Sequence, residues 1–368
     1  MMLTEEQNFL LSLIRSALGN DGADLSRFRA DWMVVYNLAQ VQGVHGVVFD
    51  TLDNIQKEML PPKTVLLNWI GNVAMMERTY DAYVCTIKGL AEIVKKEKLV
   101  MMVMKGYGCS LNYPIPNHRP CGDIDIFVMT SEGEHNEKVL KAVDKAITEH
   151  NQGKFISDNK HHTVIQYCKF VVENHETILD VNTHKSSRVL NRLLEKLASE
   201  NKDIYTSLAQ GLVLPSVKFN SIHLLRHMAN DFATVRITLR QILDWSTFVA
   251  NNATDIDWDF VHEVARKANM HRFLDTINSI CVDYLGYNTA LFPIVYKDEM
   301  LRDRVLADIF NIEYQDEMPE FKNKLRYGLA KTSRMWHNRW KYNIVYDESL
   351  CSSFISKTYN RIIKSWKS

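Results

Sequence analysis

The sequence predicts an α+β fold, with a small strand-bearing unit set between helical segments. Three observations carry that reading. Apolar positions recur at helical spacing through the first hundred residues. Two short apolar runs, "KLVMMVM" and "DIDIFV", then break that spacing and are separated by Gly- and Pro-containing turns. From about residue 190 the helical spacing returns. The organisation that follows is an N-terminal helical region over 1–97, a core over 98–190 and a C-terminal helical region over 191–368.

Thr4, followed by glutamates, caps a first helix that closes at Gly19. A second helix lies within "FRADWMVVYNLAQVQGV" and a third covers roughly 63–97. "KLVMMVMKG" (98–106) ends in Gly and suits a buried strand. "YGCSLNYP" makes a short helix before the loop "PIPNHRP", and "DIDIFV" (123–128) is the second strand. "EGEHNEKVLKAVDKAITEHN" reads as a helix with Val139, Leu140, Val143 and Ile147 on one face. "HHTVIQYCKFVVENHETILDVNTH" (161–184) reads as a hairpin turning at "ENHE", which puts Asp180 in its second strand. Five helical patterns follow between 189 and 285.

Hydrophobic residues make up 46% of the 368 and charged residues 24%, which permits a sizeable core. Lys plus Arg equals Asp plus Glu at 44 each, which excludes a strongly basic nucleic-acid binder. The six cysteines include no CxxC pair, so free thiols, no disulfides and a reducing compartment are expected. With no signal-peptide pattern and no apolar run long enough to span a bilayer, the expectation is a cytoplasmic protein without a membrane partner. The tail 320–368 interleaves aromatics with cations, as in "MWHNRWKYN"; a partly exposed helix with its aromatics turned inward is favoured over stacking on bases.

The chemistry concentrates in "RPCGDIDIFV". Residues i and i+2 of a strand share a face, so Asp123 and Asp125 lie side by side at the head of an apolar run. Like charges so placed need a positive partner, either a basic side chain or a divalent cation. Two carboxylates at this spacing suit Mg²⁺ (or Mn²⁺), which binds triphosphate oxygens at the same time. Asp180, 55 residues beyond Asp125 (180 minus 125), is the candidate third ligand. An EF-hand is excluded because the residues that follow the pair are apolar where a further ligand and a Gly are required. A purely structural acidic pair is the competing reading. Upstream, Lys105, Gly106, Gly108 and Ser110 mark a strand-to-helix turn that could offer N–H groups and a point charge to a phosphate. Taken alone it also reads as an ordinary turn, and it lacks P-loop spacing.

The stretch "MKGYGCSLNYPIPNHRPCGDIDIFV" resembles the signature of the uncharacterised nucleotidyltransferase family, a branch of the DNA polymerase β-like superfamily. Lys105, Gly106, Tyr113, Pro114, Arg119, Pro120, Gly122, Asp123 and Asp125 carry the likeness. "RHMANDFATVRITLRQILDW" is similar to a second block of that family, through His227, Arg240 and Asp244. The resemblance spans about 30–270. It implies a mixed β-sheet core with Asp123, Asp125 and Asp180 as catalytic and metal ligands at one edge of a nucleotide cleft. Lys105, Gly106, Ser110, Arg119, Gly122, His227 and Arg240 would bind the nucleotide. Two departures stand out. The superfamily's Gly-Ser pair at the first helix is replaced by "KGYGCS", as is common in this branch. The family's third Asp is usually followed by a Leu-His-Trp-like run, and here the sequence is "DVNTH", with Asn182 or His184 as a stand-in. His161 and His162 open the preceding strand, where either could reach the site but ordinary polar residues at a strand end are the favoured reading. Arg240 and Asp244, four residues apart, are placed to pair on one helix face, or Asp244 holds Arg240 against phosphates.

The expected activity is metal-dependent transfer of a nucleoside monophosphate from an NTP, ATP foremost, to an acceptor hydroxyl with release of pyrophosphate. The acceptor (a protein, a small molecule or an RNA end) is open. The alternatives are a nucleotide-binding or scaffold protein that kept the fold without turnover, and a DxD sugar transferase. The second is disfavoured because no Rossmann-like half precedes the DxD pair.

Overall fold

The computed structural model describes residues 3–20, 24–150, 153–159, 161–182, 184–200, 206–313 and 324–347. Thr4 caps α1 (Glu5–Ala17) through a reciprocal capping box with Gln7. Asp31 caps α2 (Trp32–Val41), and the short α3 (His45–Phe49) leads to the long α4 (Lys63–Lys96). α1, α2 and α4 form where the apolar spacing placed them; α3 is not marked by it.

The strands β1 (Leu99–Met104), β2 (Ile124–Thr130), β3 (Gly153–Asn159), β4 (His162–Tyr167), β5 (Phe170–His175) and β6 (Leu212–Val213) build one mixed sheet in the order β3-β4-β5-β2-β1-β6. β1 runs antiparallel to β2, β2 parallel to β5, and β6 parallel to β1. Between the strands lie α5 (Gly106–Ser110) and α6 (Glu137–Glu149), and Val139, Leu140, Val143 and Ile147 of α6 are all buried.

Strand alternation decides what each sheet face meets. Met101, Val103, Ile124, Ile126, Ile165 and Val172 pack on Tyr83, Ile87 and Leu90 of α4 and on Val143 and Ile147 of α6. Each such side chain contributes about 1.5–3 kcal/mol when fully buried. The other face sends Met102, Met104, Phe127 and Met129 into a larger core shared with the C-terminal helices. Those helices are α7 (Lys185–Glu200), α8 (Val217–Thr234), α9 (Leu239–Asn251), α10 (Trp258–Lys267), α11 (His271–Asp283), α12 (Glu299–Phe310), α13 (Lys324–His337) and α14 (Arg339–Asn343).

The sheet differs from expectation in two respects. The hairpin of 161–184 turns at Cys168 and Lys169, not at "ENHE"; Glu173 to His175 are part of β5, and Asp180 lies beyond the strand. The sheet also contains β3 and, beyond residue 190, β6. In the tail, Tyr342 and Tyr346 are buried, and Arg304 lies 3.9 Å above the Trp340 ring, while Trp336 is exposed. The remainder of that tail, 320–323 and 348–368, lies outside the described residues, as does Cys351. Cys85, Cys109, Cys121, Cys168 and Cys281 are free thiols. No described helix is long and apolar enough to cross a membrane.

Candidate active site

The site begins with a distorted turn. At the end of β1, Lys105 has φ +50° and Gly106 has φ +36°, swinging the chain from strand into α5. A non-Gly residue at such a φ costs on the order of 1–3 kcal/mol and persists only where the surroundings enforce it. Here they do. A Cβ on Gly106 would run into the Tyr83 hydroxyl, which donates to the Asp123 carbonyl at 3.0 Å. One Tyr of α4 thus fixes both the turn and the start of the acidic strand.

The turn places the Lys105 ammonium 2.9 Å from Asp125 Oδ1, and His175 Nε2 lies 3.0 Å from the same oxygen. Burial alone would push the Asp125 carboxyl up, but Lys105 and His175 outweigh it and hold the group far below the ordinary carboxylate range. Lys105 is shifted the other way: burial disfavours its charge, and Asp125 more than restores it. Asp125 is buried, whereas Asp123 is exposed just ahead of β2.

The third acid beside Asp125 is Glu173. Parallel pairing of β2 with β5 sets Asp125 directly opposite Glu173, and His175 follows on the same face. Burial, then the charge of Asp125, pushes the Glu173 carboxyl up. Asp180 instead lies exposed in the turn after β5, where it accepts the Asn182 N–H at 2.9 Å. His184 is buried and stacked on Tyr346, with ring centroids 3.8 Å apart. The acid-x-His order sought in "DVNTH" stands earlier, in Glu173-Asn174-His175; the alternation of "FVVENH" is the signal that marks it as strand.

Arg119 and Asp244 form a buried fork: Nε to Oδ1 at 2.7 Å and Nη2 to Oδ2 at 2.8 Å. The Tyr113 hydroxyl donates to the same carboxylate at 2.8 Å. Asp244 therefore pairs with Arg119 across 125 residues and not with Arg240 on its own helix. Arg240 lines the cleft, its Nε buried and without a hydrogen-bond partner among the described residues. Ser110 is turned into the core, donating to the Tyr107 carbonyl at 2.7 Å and bonded to the Tyr80 hydroxyl at 2.8 Å, so it does not face the cleft.

A cavity of about 320 Å³ brings together Lys105, Gly106, Arg119, Gly122, Asp123, Asp125, His227 and Arg240, with Asp231, Gln241 and Asp244 completing its wall. A second chamber of about 210 Å³ shares Lys105, His227 and Asp231 with it and is lined by His161, His162, Glu173, His175, Asp180 and His223. Asp125 and Glu173, on paired strands, and His175 each offer a ligand atom within 4.8 Å of the other two, with Asp123 just ahead of β2; the carboxylate oxygens are hard donors of the kind that suit Mg²⁺ or Mn²⁺.

A family model described as uncharacterised nucleotidyltransferase matches residues 29–286. No curated protein and no solved structure matches the chain.

Proposed function

Since the chain belongs to the uncharacterised nucleotidyltransferase family, we propose that its cleft transfers a nucleoside monophosphate from an NTP, ATP foremost, to an acceptor hydroxyl. The observation that carries this reading is the register of Asp125 against Glu173, with Lys105 beside Asp125 and Arg240 lining the same cavity as both. Asp123, Asp125 and Glu173 would hold a divalent cation, Mg²⁺ or Mn²⁺, which would neutralise triphosphate charge. Lys105 and Arg240 bring cationic donors to the phosphates. Arg119, engaged by Asp244, positions the loop that carries Asp123. The acceptor oxygen forms a bond to the α-phosphorus, the bond to the β-phosphate breaks, and pyrophosphate leaves. Glu173, the carboxylate opposite Asp125, would take the acceptor proton.

A second reading has one observation in its favour. Lys105 and His175 already neutralise Asp125, as in a site that binds nucleotide without turning it over. A sugar transferase gains no support, because only β1 precedes the acidic pair and it runs antiparallel to β2.

The test is incubation with each α-labelled NTP and Mg²⁺ or Mn²⁺, with and without cell extract, tracing label and pyrophosphate. Transfer by the wild type and none by Asp123→Asn or Glu173→Gln is expected. Metal-dependent NTP binding with no pyrophosphate release under any condition would favour the second reading. No NTP binding at all would overturn both.

A further inference from the structure

We propose that His161, His162 and His175 form a binding site for a first-row transition cation, Zn²⁺ foremost, adjoining the carboxylate site through the contact of His175 with Asp125. The fold builds this cluster from three positions. His162 and His175 are direct cross-strand partners in the antiparallel pairing of β4 with β5, and His161 immediately precedes β4. Their ring centroids are 4.9–5.4 Å apart, and one potential ligand atom from each lies within 4.8 Å of the other two.

The hydrogen bonds behind the rings set two of the tautomers. The Thr177 hydroxyl donates its only proton to the Leu179 carbonyl at 2.8 Å. Towards His161 Nδ1, 2.7 Å away, that hydroxyl can therefore only accept, so His161 carries its proton on Nδ1. The Thr177 carbonyl accepts from His175 Nδ1 at 3.3 Å. His161 is thus left with an Nε2 lone pair to offer, and His175 offers its own once the proton it shares with Asp125 gives way to a cation. Metal-ligating imidazoles are held this way, the far ring N–H donating to a carbonyl or hydroxyl oxygen that fixes tautomer and orientation. Without a cation, His175 Nε2 donates that proton to Asp125 Oδ1 at 3.0 Å, so metal binding here releases a proton.

A separate observation comes from the opposite wall. His223 of α8 is 2% exposed and lines the same chamber, and its Nδ1 has no hydrogen-bond partner among the described residues. A buried polar atom left so costs about 1–3 kcal/mol, which a polar occupant of the chamber would offset. Imidazole nitrogens select Zn²⁺ and its neighbours over Mg²⁺, which prefers oxygen. With three protein ligands such a cation keeps a position open for water or a bound group, here in the chamber that adjoins the triphosphate cavity. The competing reading is ring packing with no ion, edge-to-face for His161 on His162 and on His175 and tilted between His162 and His175. The site does not depend on nucleotidyl transfer.

The test uses the full chain stripped with chelator, in excess Mg²⁺. Co²⁺ is titrated and followed by its visible absorption, and Zn²⁺ affinity is read by competition with a chromophoric chelator. One equivalent of Co²⁺, displaced by Zn²⁺, is expected in the wild type, a result that needs no variant. His161→Gln and His162→Asn should weaken Zn²⁺ by more than the roughly 10–100-fold expected for Thr177→Val, which removes only an outer partner. Asp123→Asn should lose Mg²⁺-dependent NTP binding and keep its Zn²⁺ affinity, which separates failure of this site from failure of the nucleotide site. The proposal is overturned if the wild type binds no stoichiometric Co²⁺. It is equally overturned if folded His161→Gln and His162→Asn bind Zn²⁺ as the wild type does.

Discussion

Asp244→Ala is the perturbation that best tests how the acidic loop is held. Arg119 and Asp244 are 5% and 7% exposed and meet through two parallel hydrogen bonds, with the Tyr113 hydroxyl on the same carboxylate. Removing the carboxylate leaves a guanidinium buried without its counter-ion and a phenol without its acceptor. Breaking a buried pair in this way costs about 3–5 kcal/mol. With an unfolding entropy of about 2.1 cal/mol/K per residue, a cooperative chain of this length should lose about 4–6 °C in Tm. Urea and thermal unfolding followed by circular dichroism measure the loss, and calorimetry measures Mg²⁺–NTP affinity alongside. Affinity should fall as well, because Arg119 is four residues from Asp123 on the loop it anchors. Arg119→Ala combined with Asp244→Ala should be less destabilising than the two single effects added, since the second change removes a charge the first had orphaned. Strict additivity, or a Tm within about 1 °C of wild type for Asp244→Ala, would refute the reasoning. Arg119 would then be free to reach the phosphates itself.

Gly106→Ala should lower stability by about 1–3 kcal/mol and weaken NTP binding, because the new Cβ meets the Tyr83 hydroxyl at a φ of +36°; an unchanged melt would show that the turn relaxes freely. Glu173→Gln should raise the Tm of the metal-free protein at pH 8 but not at pH 4. A carboxyl whose folded-state affinity for protons is raised destabilises the fold increasingly as pH rises above its unfolded value, and the amide does not; equal shifts at both pH values would count against a raised Glu173. Asp180→Ala should leave label transfer within about twofold of wild type while Glu173→Ala cuts it at least about a hundredfold, and the reverse order would restore Asp180 as the third acid.

Much of the fold was legible because its elements carry local patterns. The four apolar positions of α6 all reach the core, and β1 and β2 are runs too apolar for a surface. The elements that escaped notice are stabilised by partners distant in sequence. Leu212 and Val213 form a two-residue strand only because Met101 and Met102 lie beside them. β3 sits at the sheet edge, with Phe155 and Ile156 both exposed and a register shift between Phe155 and Ser157, so its side chains do not alternate cleanly. The hairpin turns at Cys168, a residue with φ +52° where Gly or Asn would have announced the bend. Meanwhile Glu173, Asn174 and His175 imitate a polar turn because two of them face the cleft.

The same division between local and distant partners runs through the site. Lys105, Gly106, Asp123 and Asp125 lie within 21 residues (125 minus 105, inclusive), and their spacing marked them together. The sequence offered Asp244 a partner four residues away in Arg240, which in an exposed helix stabilises by only about 0.2–0.5 kcal/mol. Arg119 competes for the same carboxylate with a planar fork inside the protein, where charge-assisted bonds are stronger, and it wins. Its success has a second consequence on the opposite wall of the cavity. With Asp244 engaged, no carboxylate among the described residues pairs with Arg240, yet its guanidinium Nε is buried. A cation so placed is satisfied by an anion arriving from outside. The contact that fixes the acidic loop is therefore also the one that leaves Arg240, in the same cavity as Asp123 and Asp125, without a carboxylate partner among the described residues, as the proposed binding of a metal-bound triphosphate would use it.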